Sequence, residues 1–503
     1  MYISSILLVL FIGSVIAFLT RTREQARVVA VVSSWLALLI SIMMFIQYDP
    51  NKGLSNFEEL YSWIPSIGIS YHVGVDGVGM PMVLLSTLIS AFCAIYSWGE
   101  NRRPNQFFAL LLLMDLALVG VFVSLDFFLF FIFWELTLIP MFFLIGIWGG
   151  PRKDYSAIKF IIYTHVGSVV MLLGIFAMYT FHGMATGNYT FDIPTLLNAY
   201  GTIPLSPFWR EFIFAALLLG FLIKMPAVPF HTWLPDAHVE APTVGSIILA
   251  GVLLKMGGYG LFRFLVPMIP YASSKFILVI AILGLISILY SPIAAIAQPD
   301  IKKLIAFSSI GHMGFISVGV AASLASGHEI SRIFASTGAM FQLFAHGIIT
   351  AVLFGSAGAI EHHTGTRIIM DLGGLAKKMP KFTFLMVAGF FASMGFPGMV
   401  GFIAEFSILA GSYPQLPWVV ILAVISIPLT AAYHLWALQR AMFGPYNEYL
   451  GDVHEITWYE LLALGSWVIL IILLGVYPMP LFDMMKATTV DLLSNLPAGG
   501  IVP

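Results

Sequence analysis

The feature that most constrains this chain is the recurrence, from one end to the other, of continuous apolar runs long enough to cross a bilayer as helices, which takes about 20 residues. Short charged or Pro- and Gly-rich stretches separate them. A membrane β-barrel is excluded because its strands alternate apolar and polar residues over about ten positions. Hydrophobic residues make up 59% of the 503 and charged residues 10%, against about 25% charged in a water-soluble domain. A soluble fold of this length would have to cover its surface with apolar side chains. Disorder needs low hydrophobicity and high charge, the reverse of this composition. The reading is an all-α polytopic membrane protein.

The runs give 14 expected spans: 2–20, 27–47, 75–98, 106–124, 126–147, 156–180, 211–233, 243–265, 275–297, 302–323, 331–358, 382–411, 417–443 and 457–480. The longest polar interruptions, 48–74, 181–210 and 359–381, leave no room for a soluble domain. The first run lacks a basic leader and is read as a span, not a removable signal. Lys and Arg fall unequally in alternate loops: fourteen in one set, five in the other, and four at or inside helices. The positive-inside rule makes the richer set cytoplasmic and leaves both termini outside.

Cys93 is the only cysteine. An iron–sulfur cluster usually takes four and a disulfide two. A net charge of −2 gives no footprint for nucleic acid. Gly77-Val78-Gly79 and Gly257-Gly258-Tyr259-Gly260 lack the strand–turn–helix setting of a nucleotide fingerprint and read as close helix contacts. Glu361-His362-His363 reads as cytoplasmic loop surface with no further ligands at a standard metal spacing. Asn188-Tyr189-Thr190 is a formal sequon without expected meaning, and Asp115 is left without a role.

Ionisable residues inside the spans carry more information. A charge at the bilayer centre costs about 2.5–3.5 kcal/mol on insertion scales. Arg263 and Lys159 sit near run ends, where long side chains can snorkel. Glu135, Lys224 and Lys255 sit within apolar runs. Buried ion pairs add little stability relative to apolar packing, so this group points to function. Burial and a nearby carboxylate push a lysine's protonation in opposite senses. A Glu–Lys pair can therefore switch state when one partner moves a few ångströms, and lysine suits the task better than arginine. His312 and His346 are candidate relays. Pro226 and Pro229 follow Lys224, and Pro397 precedes Glu405 by eight residues. Proline removes a backbone hydrogen bond, and at depth such a break is tolerated where it lines a hydrated cavity or is covered by protein. Paired interrupted helices point to an ion site.

The stretch Lys224-Met225-Pro226-Ala227-Val228-Pro229-Phe230-His231-Thr232-Trp233-Leu234-Pro235-Asp236-Ala237-His238, then Glu240-Ala241-Pro242-Thr243, resembles the signature of the antiporter-like membrane subunits of respiratory complex I. Subunits of sodium/proton antiporters and membrane-bound hydrogenases share that family. The resemblance continues through 126–135, Ala157 to Thr164, Asp300 to Ala306, Ser309 to Gly314 and Ala345-His346-Gly347. It implies one membrane domain of about 14 spans over 1–503: N-terminal spans in 1–98, inverted five-helix repeats at 106–265 and 275–443, and a last span at 457–480, with spans 7 and 12 discontinuous. It implies that Glu135 modulates Lys224, Lys255 connects the halves, His231, His238, His312 and His346 hydrate or relay, and Glu405 is the terminal proton site. Relatives usually carry Lys at that last position, and Glu there is similar to the M-type chain, subunit 4 in mitochondria.

The expected function follows: a proton-translocating subunit of an NADH, or other reduced-carrier such as deazaflavin, quinone oxidoreductase in a bacterial or archaeal plasma membrane. No cofactor or metal is expected in this chain; flavin, iron–sulfur clusters and quinone belong to partner subunits of the membrane-arm assembly. The alternatives are a subunit of a sodium/proton antiporter or membrane-bound hydrogenase, and a mechanical membrane arm that moves no ion.

Overall fold

The computed structural model describes residues 1–494 and Ile501. The helices are α1 (Tyr2–Leu19), α2 (Arg23–Gln47), α3 (Gly79–Tyr96), α4 (Pro104–Val123), α5 (Phe127–Leu136), α6 (Leu138–Trp148), α7 (Lys153–Thr186), α8 (Ile193–Ala199), α9 (Pro207–Lys224), α10 (Trp233–Glu240), α11 (Thr243–Ile248), α12 (Lys255–Gly260) and α13 (Val266–Met268). They continue as α14 (Lys275–Ile296), α15 (Ile301–Leu324), α16 (Glu329–Thr364), α17 (Pro380–Ser393), α18 (Val400–Ser412), α19 (Pro417–Val424), α20 (Ser426–Met442), α21 (Trp458–Val476) and α22 (Met479–Ser494).

Among the described residues twelve helical segments are long and apolar enough to cross a membrane, with α5–α6, α11–α13 and α19–α20 each acting as one. The pairs α9–α10 and α17–α18 complete fourteen, in the order read from the sequence. Two of these are interrupted. The stretch Met225 to Thr232 separates α9 from α10, and Met394 to Met399 separates α17 from α18. Both breaks fall at prolines, Pro226 and Pro229 in the first and Pro397 in the second.

Burial sets the layers. The apolar windows of α11–α13 and α16 are wholly buried and that of α15 is 94% buried, whereas α2 is 33% buried. These buried spans are less apolar than α1 and α2, because in a bilayer polar side chains are kept to the bundle interior while apolar ones face lipid. Leu8, Phe11, Val32 and Leu39 of α1 and α2 stay exposed, as lipid-facing side chains would.

Loop contacts agree with the alternation of ends. At the end with few basic residues, His72 meets Asp192 at 2.7 Å and Tyr179 donates to the Ile67 carbonyl. At the basic end Arg367 meets Asp300 at 3.1 Å, Arg152 reaches Asp236, and Lys378 reaches Asp452.

Two aspartates make the same construction at opposite ends. Asp126 caps α5 through Oδ1, accepting from Phe128 N and Leu129 N, and pairs by backbone with Asp192. Asp300 caps α15, accepting from Lys302 N and Lys303 N, and pairs by backbone with Ile368. Each cap satisfies otherwise orphaned helix N–H groups and ties the helix start to the segment leading into an interrupted span.

Several details differ from the sequence reading. The interruption 48–74 contains a β-hairpin, β1 (Asn56–Ile64) antiparallel to β2 (Ile69–Val75). Its Pro65-to-Gly68 turn closes on Gly68 at φ 69°. The last span ends at Val476, short of 480, and α22 follows as a further helix with Asp483, Lys486 and Asp491 along it. The eleventh span does not stop at 358: α16 runs to Thr364, ended by Gly365 at φ 74°. Glu361, His362 and His363 therefore lie on a helix, not in a loop.

Candidate functional site

The centre of the bundle holds a run of four ionisable side chains from four segments. Lys255 starts α12 between two π-helical turns, Leu249–Leu253 and Leu261–Leu265. In the first, Leu254 N bonds Leu249 O at 3.2 Å, five residues back. The wider turn leaves the Ala250 carbonyl to accept from Lys255 Nζ. Single π turns inside α-helices often mark functional positions. Lys255 Nζ is also 2.7 Å from His346 Nδ1 on α16. The His346 and His312 rings lie 5.3 Å apart between centroids. His312, on α15, sets Nδ1 2.8 Å from Glu405 Oε1 on α18 and Nε2 3.2 Å from Ser393 Oγ at the end of α17. Lys255, His346 and His312 are buried, and Glu405 is nearly so.

The second break shapes the Glu405 end of this row. Gly395 has φ 73°, a region disfavoured for other residues. A Cβ there would lie 3.2 Å from Glu405 Oε2. Glycine thus permits both the reversal and the approach of backbone to carboxylate.

Lys224 and Glu135 are arranged otherwise. Lys224 is the last residue of α9, buried, with Nζ 3.2 Å from Thr137 Oγ1 and 5.4 Å from the Trp134 ring centroid. Glu135 Oε2 is 2.8 Å from His165 Nδ1 on α7, and Oε1 is buried without a protein partner. Among the described residues Lys224 and Glu135 make no direct ion pair; each is held by a different neighbour. His165 was not singled out by sequence, although a histidine within an apolar run, Thr164-His165-Val166, is the signal that could have found it.

His238 on α10 is fully buried and stacked on Phe354 at 4.3 Å, with neither ring nitrogen partnered by protein. His231, in the first break, packs edge-on to Tyr290 and leaves Nδ1 unpartnered. Neither bonds directly to the central row.

Lys159, Arg263 and His434 have structural partners. Lys159 meets Asp236 at 2.7 Å. Arg263 meets Asp76 at 2.7 Å, both nearly fully buried. His434 packs between Phe390 and Tyr433 and bonds the Thr430 carbonyl. Nothing in the structure explains Asp115, whose buried carboxylate oxygens lack protein partners.

Residues 124–430 match the family described as NADH:quinone oxidoreductase/Mrp antiporter, TM. The chain is 45% identical over 485 residues to F(420)H(2) dehydrogenase subunit M of Methanosarcina mazei, covering 96% of each. It is 37% identical over 482 residues to NADH-quinone oxidoreductase subunit M of Rhodobacter capsulatus, covering 94% of this chain and 91% of the relative. A chain of respiratory complex I from Thermus thermophilus with bound NADH superposes with a TM-score of 0.86 at 28% identity, over 98% of this chain and 100% of that one. The Mrp complex of Dietzia shares the fold, with a TM-score of 0.83 at 19% identity over 98% and 96% of the two chains. The central row and the two broken spans thus sit within a matched segment that covers more than half the sequence, and the chain belongs to the NADH:quinone oxidoreductase/Mrp antiporter family of membrane proteins.

Proposed function

We propose that this chain is a proton-translocating subunit of a complex I-like oxidoreductase that passes electrons from a reduced carrier to a quinone. The relatives named subunit M of NADH-quinone and F(420)H(2) enzymes support that assembly. On this reading the donor is NADH or a reduced deazaflavin. Flavin, iron–sulfur clusters and quinone belong to partner subunits on this reading, and the membrane is a bacterial or archaeal plasma membrane.

The observation that carries the proton role is the contact series Lys255–His346–His312–Glu405. Each neighbour can hold a proton the next can accept, and imidazole can take it on one nitrogen and release it from the other. The histidine rings are in tilted contact, 5.3 Å between centroids, and a water at the unpartnered His346 Nε2 would carry the proton between them. Unpartnered buried nitrogens on His346 and His238 also argue for internal water, because an unpaired buried polar atom costs about 1–3 kcal/mol.

Glu135 and Lys224 form the loading end of this scheme. Lys224 lies beside the first break, and a signal from partner subunits would bring the two together by displacing His165 or Thr137. The proton then passes through Lys255 and the histidines to Glu405, with His231 and His238 hydrating the flanks. One charge crossing 100 mV costs about 2.3 kcal/mol, and a tenfold change in proton affinity is worth about 1.4 kcal/mol. Two such changes are sufficient.

The division into repeats, 106–265 and 275–443, is supported by the matching Asp126 and Asp300 constructions at opposite ends. It is also supported by a break in the fourth span of each.

Lys224→Ala in the assembled complex tests the loading role. Electron transfer with fewer protons moved per electron is expected; unchanged pumping would refute it.

A further inference from the structure

At the basic end, two histidines and a carboxylate meet outside the central row. His362 and His363 lie on the last turn of α16, and Glu460 on the first turn of α21. His362 Nδ1 is 2.9 Å from Glu460 Oε1, and His363 Nε2 is 3.0 Å from Glu460 Oε2. One donor atom from each lies within 4.8 Å of the others. We propose that His362, His363 and Glu460 form a binding site for a divalent transition-metal ion, zinc by its donor chemistry.

Two imidazoles and one carboxylate are the donor set of three-ligand zinc sites that keep a fourth position open. The absence of thiolate disfavours copper(I), and a single carboxylate is a poor match for calcium or magnesium. Tetrahedral zinc at 2.0–2.1 Å from its ligands sets donors about 3.3 Å apart. The two His–Glu contacts, 2.9 and 3.0 Å, open by a few tenths of an ångström to reach that spacing, and the two imidazole donors adjust from a separation within 4.8 Å.

The carboxylate is held from behind. Glu460 Oε2 accepts from Thr457 N at 2.9 Å and Thr457 Oγ1 at 2.7 Å, a capping box that fixes its orientation while the side chain is 2% exposed. Such outer partners orient metal ligands. The open position has somewhere to face: His362 and Glu460 line a cavity of about 570 Å³ at this end, together with Glu240 and Glu361. An ion here fastens the end of α16, the helix that carries His346, to the start of α21. That consequence rests on the proton reading above, whereas the metal site does not.

The test is equilibrium dialysis of the assembled complex against radioactive zinc, comparing the parent with His362→Gln/His363→Gln and with His328→Gln, an exposed histidine at the other end. The paired variant is expected to lose one equivalent, or to bind it at least tenfold more weakly, with His328→Gln unchanged. Equal zinc content and affinity in all three would overturn the site. Should the paired variant fail to assemble, the zinc-edge anomalous map of the soaked parent complex decides: a peak bonded to the three side chains supports the site, and no peak there refutes it. Both readouts follow the metal and not proton movement, so neither depends on the relay.

Discussion

Glu405 and His312 are 93 residues apart in the chain, yet Glu405 Oε1 lies 2.8 Å from His312 Nδ1. They come from α18 and α15. In the interruption before α18, Gly395 turns the chain directly against Glu405.

Gly395→Ala should therefore harm the site more than Gly398→Ala. Both glycines have positive φ, 73° and 87°, and a Cβ costs about 1–2 kcal/mol in left-handed backbone. Only at Gly395 does the new Cβ press on Glu405; at Gly398 nothing lies within 4 Å. Proton-to-electron ratios of the two variants should differ, with Gly395→Ala lower. Equal ratios would mean the approach to Glu405 carries no function.

Arg263 and Asp76 form a buried pair, and removing one partner leaves an uncompensated charge. Arg263→Met should lower the thermal stability of the assembled subunit by about 3–5 kcal/mol. Adding Asp76→Asn should recover part of it, since Asn retains the cap that Asp76 makes to Val78 N and Gly79 N. Thermal denaturation of the single and double variants checks this. A double variant no more stable than the single would count against the pair as the cause.

At the opposite end from the basic loops, His72 is held between Asp192 and Glu58 at 2.7 and 2.9 Å. Burial alone would push the imidazole down, but the two carboxylates outweigh it and hold His72 above its ordinary 6.5. For Asp192 burial pushes upward, and the His72 and Thr195 hydrogen bonds outweigh it, leaving the group below its ordinary 3.8. A raised histidine stabilises fully below its unfolded value, and the gain disappears as pH rises through the folded value. The lowered aspartate stabilises above its unfolded value and loses that gain as pH falls through the folded one. Hydrogen-exchange protection of the β1–β2 hairpin should accordingly decline from pH 6 to above neutrality. His72→Gln should remove that decline; a pH response identical in the variant would exclude the clamp.

Much of the architecture was legible because the membrane imposes one length on every span, and Pro226 and Pro229 beside Lys224 and Pro397 before Glu405 marked both breaks. The hairpin was not, since a strand pair outside the bilayer reads locally as a polar gap. Its Leu60, Tyr61 and Trp63 remain exposed, without the alternation of a half-buried strand. The helix α22 escaped because its acidic and basic residues interrupt the apolar run. At the site, residue types could be read but not partners. The Lys255–His346 contact spans 91 residues and the Glu135–His165 contact spans 30, so neither is visible to local patterning. Glu460 escaped for the same reason: its histidines lie almost 100 residues earlier.

The most direct test of the central row is the number of protons moved per electron by the assembled complex in sealed vesicles, measured for the parent and for Glu405→Gln. The substitution keeps the side chain's size while removing its ability to exchange a proton at neutral pH. Continued electron transfer with a reduced proton count is the expected result. The same count at the same turnover would contradict a proton route ending at Glu405.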